Sequence, residues 1–212
     1  MSANLQRLVR DPLNSDEAPL LVLLHGLGSD ERDLMQIATE LDRRLRVVTL
    51  RAPHRWQQGG YAWFNLEWDF RGVRIDPVEV AASMDVLVRE VEALKNEFNP
   101  SALVLGGFSQ GAIMTMGVAA RRPDLLSGAM LLSGRYVPET FAAASLEVAK
   151  VPFLVQHGVN DPVLEVAGAR ATRDALIALG AEVDYHEYPM GHEVSWQSLQ
   201  DAKRWLASHL EF

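Results

Sequence analysis

The stretch ALVLGGFSQGAIMTMGVAA, Ala102 to Ala120, decides how this chain is read. Ala102-Leu103-Val104-Leu105 is a short apolar run of the kind that fills a buried strand. Ile113, Met114, Met116 and Val118 read as a helix. Between them stands Gly107-Phe108-Ser109-Gln110-Gly111, a G-x-S-x-G at the junction. A serine in a tight strand-to-helix turn takes a strained backbone angle, and its hydroxyl stands clear of the sheet. The flanking glycines remove the Cβ atoms that would collide in so sharp a turn. The helix opens beside the serine, so free N–H groups and the positive end of the dipole face the same spot. That geometry suits a nucleophile whose reaction builds an oxyanion. The motif also arises by chance in glycine-rich turns, and the strand before and helix after it make Ser109 the candidate.

Outward from this unit, strands and helices alternate. Toward the N-terminus, Leu20–Leu24 (LLVLL) reads as a strand buried on both faces and runs into His25-Gly26-Leu27-Gly28-Ser29-Asp30. Leu5 to Val9 is expected as an edge strand. Asp30 is expected to cap a helix carrying Leu34, Ile37, Ala38 and Leu41. Leu45 to Leu50 is the next strand, and Arg51 to Gly72 a long irregular connection rich in aromatics. Asp76-Pro77-Val78-Glu79 opens a helix, with Asp76 as cap and Glu79 reaching back. Val80, Met84, Leu87, Val91, Leu94 and Phe98 give it one apolar face.

Toward the C-terminus, strands are expected at Ala129–Leu132, Phe153–Gln156 and Val183–Tyr188. Helices are expected at Val166–Leu179 and Glu193–Leu210, and Val137 to Lys150 reads as a loop with one short helix. Right-handed crossovers turn this alternation into a mostly parallel sheet with helices on both faces. Function in such sheets gathers at the carboxyl ends of strands. His25-Gly26-Leu27, Ser109, Asp161 and His192 all fall at such ends.

Serine needs a neighbouring base. Of the six histidines, His54, His186 and His209 read as structural or solvent-facing, and His25 as a support for its loop. His157 ends a strand and competes with His192. A loop after the last strand can swing His192 over Ser109, which favours it. A carboxylate must fix the base's tautomer. Asp161 follows the strand Phe153–Gln156, whereas Asp184 sits within a strand, Asp124 follows Pro123 as a surface turn and Glu165 can cap a helix. The order Ser109, Asp161, His192 is that of hydrolases built on this sheet. The expected oxyanion donors are the backbone N–H groups of Gln110 and Leu27.

Composition narrows the alternatives. With 212 residues and 48% hydrophobic content the chain can build one domain, 1–212, with a proper core. A net charge of −8 without a clustered Lys/Arg stretch disfavours nucleic acid and anionic membranes. The absence of cysteine excludes disulfides, thiolate metal sites and a cysteine nucleophile. No segment approaches the roughly 20 apolar residues of a membrane span. A cytoplasmic enzyme with no metal and no stable membrane insertion is expected.

LHGLGSDE (Leu24–Glu31), GGFSQGA (Gly106–Ala112), HGVNDPV (His157–Val163) and YPMGHEV (Tyr188–Val194) together resemble the small phospholipase/carboxylesterase family, which includes carboxylesterases and acyl-protein thioesterases. The resemblance covers nearly the whole chain. It implies an α/β-hydrolase fold without a large lid domain, hydrolysis of carboxylic esters or thioesters, and no cofactor. It also implies Ser109, Asp161 and His192 as triad and Leu27 and Gln110 as oxyanion donors. Asn65 stands where the family often has aspartate, and Ala112 where it often has a third glycine. Trp63, Phe64 and Trp68 are expected either to line the acyl pocket or to seal a sheet edge or subunit contact, so a homodimer is compatible with this reading. The rival to an enzyme is a hydrolase-like binding module that has lost a triad member, and none is missing here.

Overall fold

The computed structural model describes residues 5–13, 17–69, 72–138 and 145–210, with backbone only at 67–69, 72–73 and 146. In chain order the strands are Arg7–Arg10 (β1), Leu20–Leu24 (β2), Arg46–Leu50 (β3), His54–Arg55 (β4), Tyr61–Ala62 (β5), Leu66–Asp69 (β6), Gly72–Ile75 (β7), Leu103–Phe108 (β8), Gly128–Leu132 (β9), Phe153–Gly158 (β10) and Val183–Tyr188 (β11). The α-helices are Asp33–Ala38 (α1), Pro77–Phe98 (α2), Gln110–Arg121 (α3), Val166–Ala178 (α4) and Trp196–His209 (α5). Seven strands make one sheet in the order β1-β3-β2-β8-β9-β10-β11. Every pairing in it is parallel except β1 against β3. The strand order reverses direction beside β2, which puts the ends of β2 and β8 at a switch point where such sheets place their sites.

The continuous apolar run of β2 has a physical cause. Leu20, Val22 and Leu24 join one buried cluster with Met84 and Leu87 of α2 and Met116 of α3. Leu21 and Leu23 join the other, with Leu34 of α1 and Leu199 and Leu206 of α5. Both faces are covered, so both registers are apolar. Each fully buried leucine stabilises the fold by roughly 1.5–3 kcal/mol. Helix α3 is buried from Gln110 through Ala120, which is why its sequence carries no polar face.

Several local expectations change. Asp30 does not cap α1: Arg32 holds that position, and the Asp30 carboxylate accepts the Arg32 N–H at 2.9 Å in a turn just ahead of the helix. Asp76 does cap α2, accepting the Val78 N–H at 2.8 Å, but Glu79 turns away to accept Asn65 Nδ2 at 2.7 Å. The Arg51–Gly72 connection is not irregular throughout, because it contains the β4–β5 ladder and half of the β6–β7 ladder. Strand β8 runs on through Gly106 and Gly107 to Phe108, since parallel pairing to Leu23 and Leu24 carries the glycines that a local reading takes as a turn. Helix α5 starts at Trp196 because Ser195 caps it, accepting the Ser198 N–H at 3.2 Å. In the Val137–Lys150 segment, Leu146–Lys150 forms a 3₁₀ turn, and residues 139–144 lie outside the described residues.

Candidate active site

Ser109 sits between β8 and α3 with φ +53° and ψ −115°, a conformation that L-residues avoid. The turn is possible because a Cβ on Gly107 would stand 2.2 Å from the backbone of Gly111, and one on Gly111 would stand 2.1 Å from the Leu24 carbonyl. The two glycines let the strand, the helix and the end of β2 converge on one point. Ala112 is accommodated from outside this motif: a Cβ on Gly134 would lie 2.5 Å from the Ala112 methyl, so glycine at 134 leaves room for alanine at 112.

β10 and β11 lie side by side with His157 opposite Glu187 and Gly158 opposite Tyr188. Their outgoing loops therefore start together. The Val159 N–H donates to the Tyr188 carbonyl at 2.8 Å, and the Asn160 N–H to the Met190 carbonyl at 3.2 Å. This lacing brings Asp161 to His192, whose Nδ1 lies 2.7 Å from Asp161 Oδ2. The His192 loop then crosses back over β10 and β9, about 14 Å at ordinary strand spacing. Its Nε2 ends 2.9 Å from Ser109 Oγ. Phe108 flanks the imidazole with ring centroids 4.9 Å apart.

Asp161 is buried and fully hydrogen-bonded. Oδ1 accepts the N–H groups of Val163 at 2.8 Å and Leu164 at 2.9 Å. Burial pushes its carboxyl up, but the bonds from His192, Leu164 and Val163 outweigh this and hold it below the usual carboxylate range. His157, the competing base, is fully buried and faces away from the serine: its Nε2 lies 2.8 Å from the Leu164 carbonyl and 3.2 Å from Asp161 Oδ2. It buttresses the loop that carries the aspartate. Its Nδ1 has no hydrogen-bond partner among the described residues.

Leu27 and Gln110 both line the Ser109 cavity, and their backbone N–H groups have no hydrogen-bond partner among the described residues. The loop bearing Leu27 is held by His25. Its Nδ1–H donates to the Gly26 carbonyl at 2.7 Å and its Nε2 accepts the Ala52 N–H at 3.0 Å. Those partners fix a neutral tautomer, and burial lowers the affinity of the ring for a second proton. Glu31, in the same motif, pairs with Arg51 at 2.5 Å and ties the far end of the loop to the end of β3.

The side chain of Gln110 has a role that motif reading missed. Oε1 accepts the Trp63 N–H at 2.8 Å, and Nε2 donates to the Phe64 carbonyl at 2.7 Å. Trp63 Nε1 in turn donates to the His25 carbonyl at 2.9 Å. One amide thus links the nucleophile turn, the aromatic segment and the oxyanion loop. The only sequence signal was a bulky polar residue at the first position of an otherwise apolar helix.

The cavity over Ser109 measures about 760 Å³ and is walled by Phe64, Leu66, Ile75, Ile113, Val163 and Leu164, among others. Of the three expected pocket aromatics, Phe64 faces it. Trp63 is instead fully buried and takes no part in the wall. It packs in the core because its N–H groups are consumed by Gln110 and His25. Trp68 belongs to β6, and its side chain lies outside the described residues. Among those residues no group of three or more His, Cys, Asp or Glu could hold a metal ion.

A mostly parallel sheet with a serine on a strained strand-to-helix turn, apposed to an imidazole backed by a carboxylate, defines an α/β-hydrolase of the serine type. Comparison with known proteins carries this further: residues 10–210 match the phospholipase/carboxylesterase family. The chain belongs to that family and is a hydrolase of the carboxylesterase class. It is 31% identical over 196 residues to an Escherichia coli protein named esterase YpfH, covering 86% of this chain and 79% of that one. It is 28% identical to acyl-protein thioesterase 1 of Kluyveromyces lactis, covering 91% and 92%. Among solved structures, esterase PE8 superimposes with a TM-score of 0.87 at 29% identity, covering 98% of this chain and 100% of that one.

Proposed function

We propose that this chain hydrolyses carboxylic esters of small to medium acyl length through a covalent acyl-enzyme on Ser109. The observation that carries the reading is the continuous line from Asp161 through His192 to Ser109, with separations of 2.7 and 2.9 Å. His192 takes the Ser109 proton at Nε2 as Oγ attacks the ester carbonyl. The N–H groups of Leu27 and Gln110 stabilise the tetrahedral oxyanion, each worth on the order of 3 kcal/mol at the transition state. Asp161, kept ionised by its bonds to the loop amides, holds the Nδ1–H tautomer and balances the imidazolium. His192 then gives its proton to the leaving alkoxide. Water, activated by the same imidazole, releases the acid and restores the serine.

Phe64, Leu66, Ile75 and Ile113 supply an apolar wall for the acyl or alcohol part of the substrate. A thioester carbonyl is open to the same attack, and the likeness to the Kluyveromyces lactis thioesterase makes thioesters the second substrate class. A panel of p-nitrophenyl esters of increasing chain length beside matched acyl thioesters separates the two. Ser109→Ala is expected to lower kcat by at least about 10⁴-fold and to abolish labelling by a fluorophosphonate probe. Wild-type turnover in that variant would remove Ser109 from the reaction. Among the described residues no helix is long and apolar enough to cross a membrane.

A further inference from the structure

The candidate catalytic cavity holds a charge that ester hydrolysis does not use. Arg135 follows β9 by three residues and lines the same cavity as Ser109, Gln110 and His192. It is half-buried and makes no hydrogen bond or ion pair with any described residue. Among the described residues this sets it apart from the arginines paired with a carboxylate and from the exposed ones. Arg7, Arg32, Arg44, Arg51, Arg122 and Arg170 each pair with a carboxylate. Arg43 and Arg89, which have no such partner among the described residues, stand exposed in solvent. A guanidinium that gives up part of its hydration without gaining a partner is costly unless something else supplies the missing oxygens.

The surroundings keep Arg135 available. Gly168, in the first turn of α4, leaves room for it, since a Cβ there would stand 3.0 Å from the Arg135 Cβ. Glu165, the acidic residue on the same cavity wall, is exposed and makes no ion pair with it. The rest of the lining is apolar or belongs to the serine site, so the cavity presents one planar, fork-shaped cation beside an apolar wall. With a net charge of −8, the surface as a whole does not attract anions. Any preference for an anionic substrate must come from a local group.

We propose that Arg135 is a specificity-determining residue that receives a carboxylate carried by the substrate, so that the preferred esters are anionic amphiphiles and not neutral ones. This rests on the esterase reading above and names the substrate class for that same cavity. The guanidinium takes a carboxylate through two parallel N–H···O bonds while the apolar wall takes the hydrocarbon between that carboxylate and the scissile carbonyl.

The test compares charged and neutral esters of matched shape in wild type, Arg135→Gln and Arg135→Lys. One pair places the charge in the acid part: p-nitrophenyl hydrogen adipate against its ω-methyl ester. The other places it in the alcohol part: 4-carboxyphenyl hexanoate against 4-(methoxycarbonyl)phenyl hexanoate. In at least one pair the charged-to-neutral ratio of kcat/KM is expected to fall tenfold or more in Arg135→Gln, mainly through KM. Arg135→Lys is expected to keep part of the preference, and in both variants the neutral ester to lose several-fold less kcat/KM than the charged one. An unchanged ratio in both pairs overturns the proposal. So does an equal loss on charged and neutral esters, which would mark Arg135 as a structural residue. Neutral-ester turnover that disappears in Ser109→Ala reports on the esterase reading separately, so failure of the two ideas cannot be confused.

Discussion

Replacing Asp161 with asparagine puts the Asp161–His192–Ser109 line under the most direct chemical strain. The two side chains have nearly the same shape, so the change exchanges one carboxylate oxygen for an NH₂ group. The surroundings decide which oxygen is lost. Oδ1 accepts N–H groups from Val163 at 2.8 Å and Leu164 at 2.9 Å, and an NH₂ there would face two donors. Two retained bonds at roughly 1 kcal/mol each, with donor–donor contact at the two loop amides avoided, outweigh the longer 3.2 Å approach of His157 Nε2 to the other position and hold the amide oxygen in that place. The NH₂ group then occupies the Oδ2 position, 2.7 Å from His192 Nδ1. It cannot accept the Nδ1 proton, so the imidazole is driven to carry its proton on Nε2. Nε2 then offers Ser109 Oγ, at 2.9 Å, a proton in place of a lone pair. A wrong tautomer in a triad lowers kcat by about 10⁴, or about 5.4 kcal/mol of barrier. KM should change little, because the cavity walls are untouched. Stopped-flow hydrolysis of p-nitrophenyl butyrate with parallel fluorophosphonate labelling measures both. A folded Asp161→Asn variant with kcat within tenfold of wild type would refute the tautomer account.

Two further outcomes follow from the wiring of the site. Gln110→Ala strips partners from the Trp63 N–H and the Phe64 carbonyl, both served by a side chain that is only 4% exposed with its residue. The expected loss is roughly 3 kcal/mol, or about 6–12 °C in Tm, with KM for longer acyl chains rising more than kcat falls. A melting temperature within 2 °C of wild type would show that the amide is not holding the aromatic segment. Asp161 also predicts a pH dependence of stability. Its carboxyl is held low in the folded chain, so between that value and the ordinary aspartate value of about 3.9 the unfolded chain binds more protons. Its contribution is therefore complete above that ordinary value and is lost as pH falls through the folded one. Urea melts of wild type and Asp161→Asn between pH 6 and pH 3 should show the stability gap closing at the acid end. A constant gap over that range would contradict the hydrogen-bonded carboxylate.

Read alone, the sequence determined the class of fold and the candidates for chemistry. Alternation of apolar runs with helical periodicity is a local property, and the crossover rule turns it into a parallel sheet without further information. A glycine-flanked serine between strand and helix is also a local signal, because the clash that Gly107 avoids lies within five residues, whereas Gly111 is needed for the tertiary approach of the Leu24 carbonyl. Placement after the last strand already favours His192 over His157 in the sequence, but both end strands, and the physical ground for the difference is tertiary: a loop that doubles back across two strands to the serine, while His157 Nε2 lies against the Leu164 carbonyl. The same holds for Gln110. Its side chain acts on Trp63 and Phe64, 47 and 46 positions away, and no spacing rule connects them. Trp63 and Phe64 are neighbours in sequence, yet one is sealed in the core and the other faces the cavity, because successive side chains leave the backbone in different directions and the packing around each decides its use. Asn65 makes sense only beside Glu79, where an aspartate would set two like charges together. Arg135 was invisible for the same reason: a lone arginine after a strand is ordinary in sequence, and becomes notable only once the fold surrounds it with a cavity and leaves its charge unanswered.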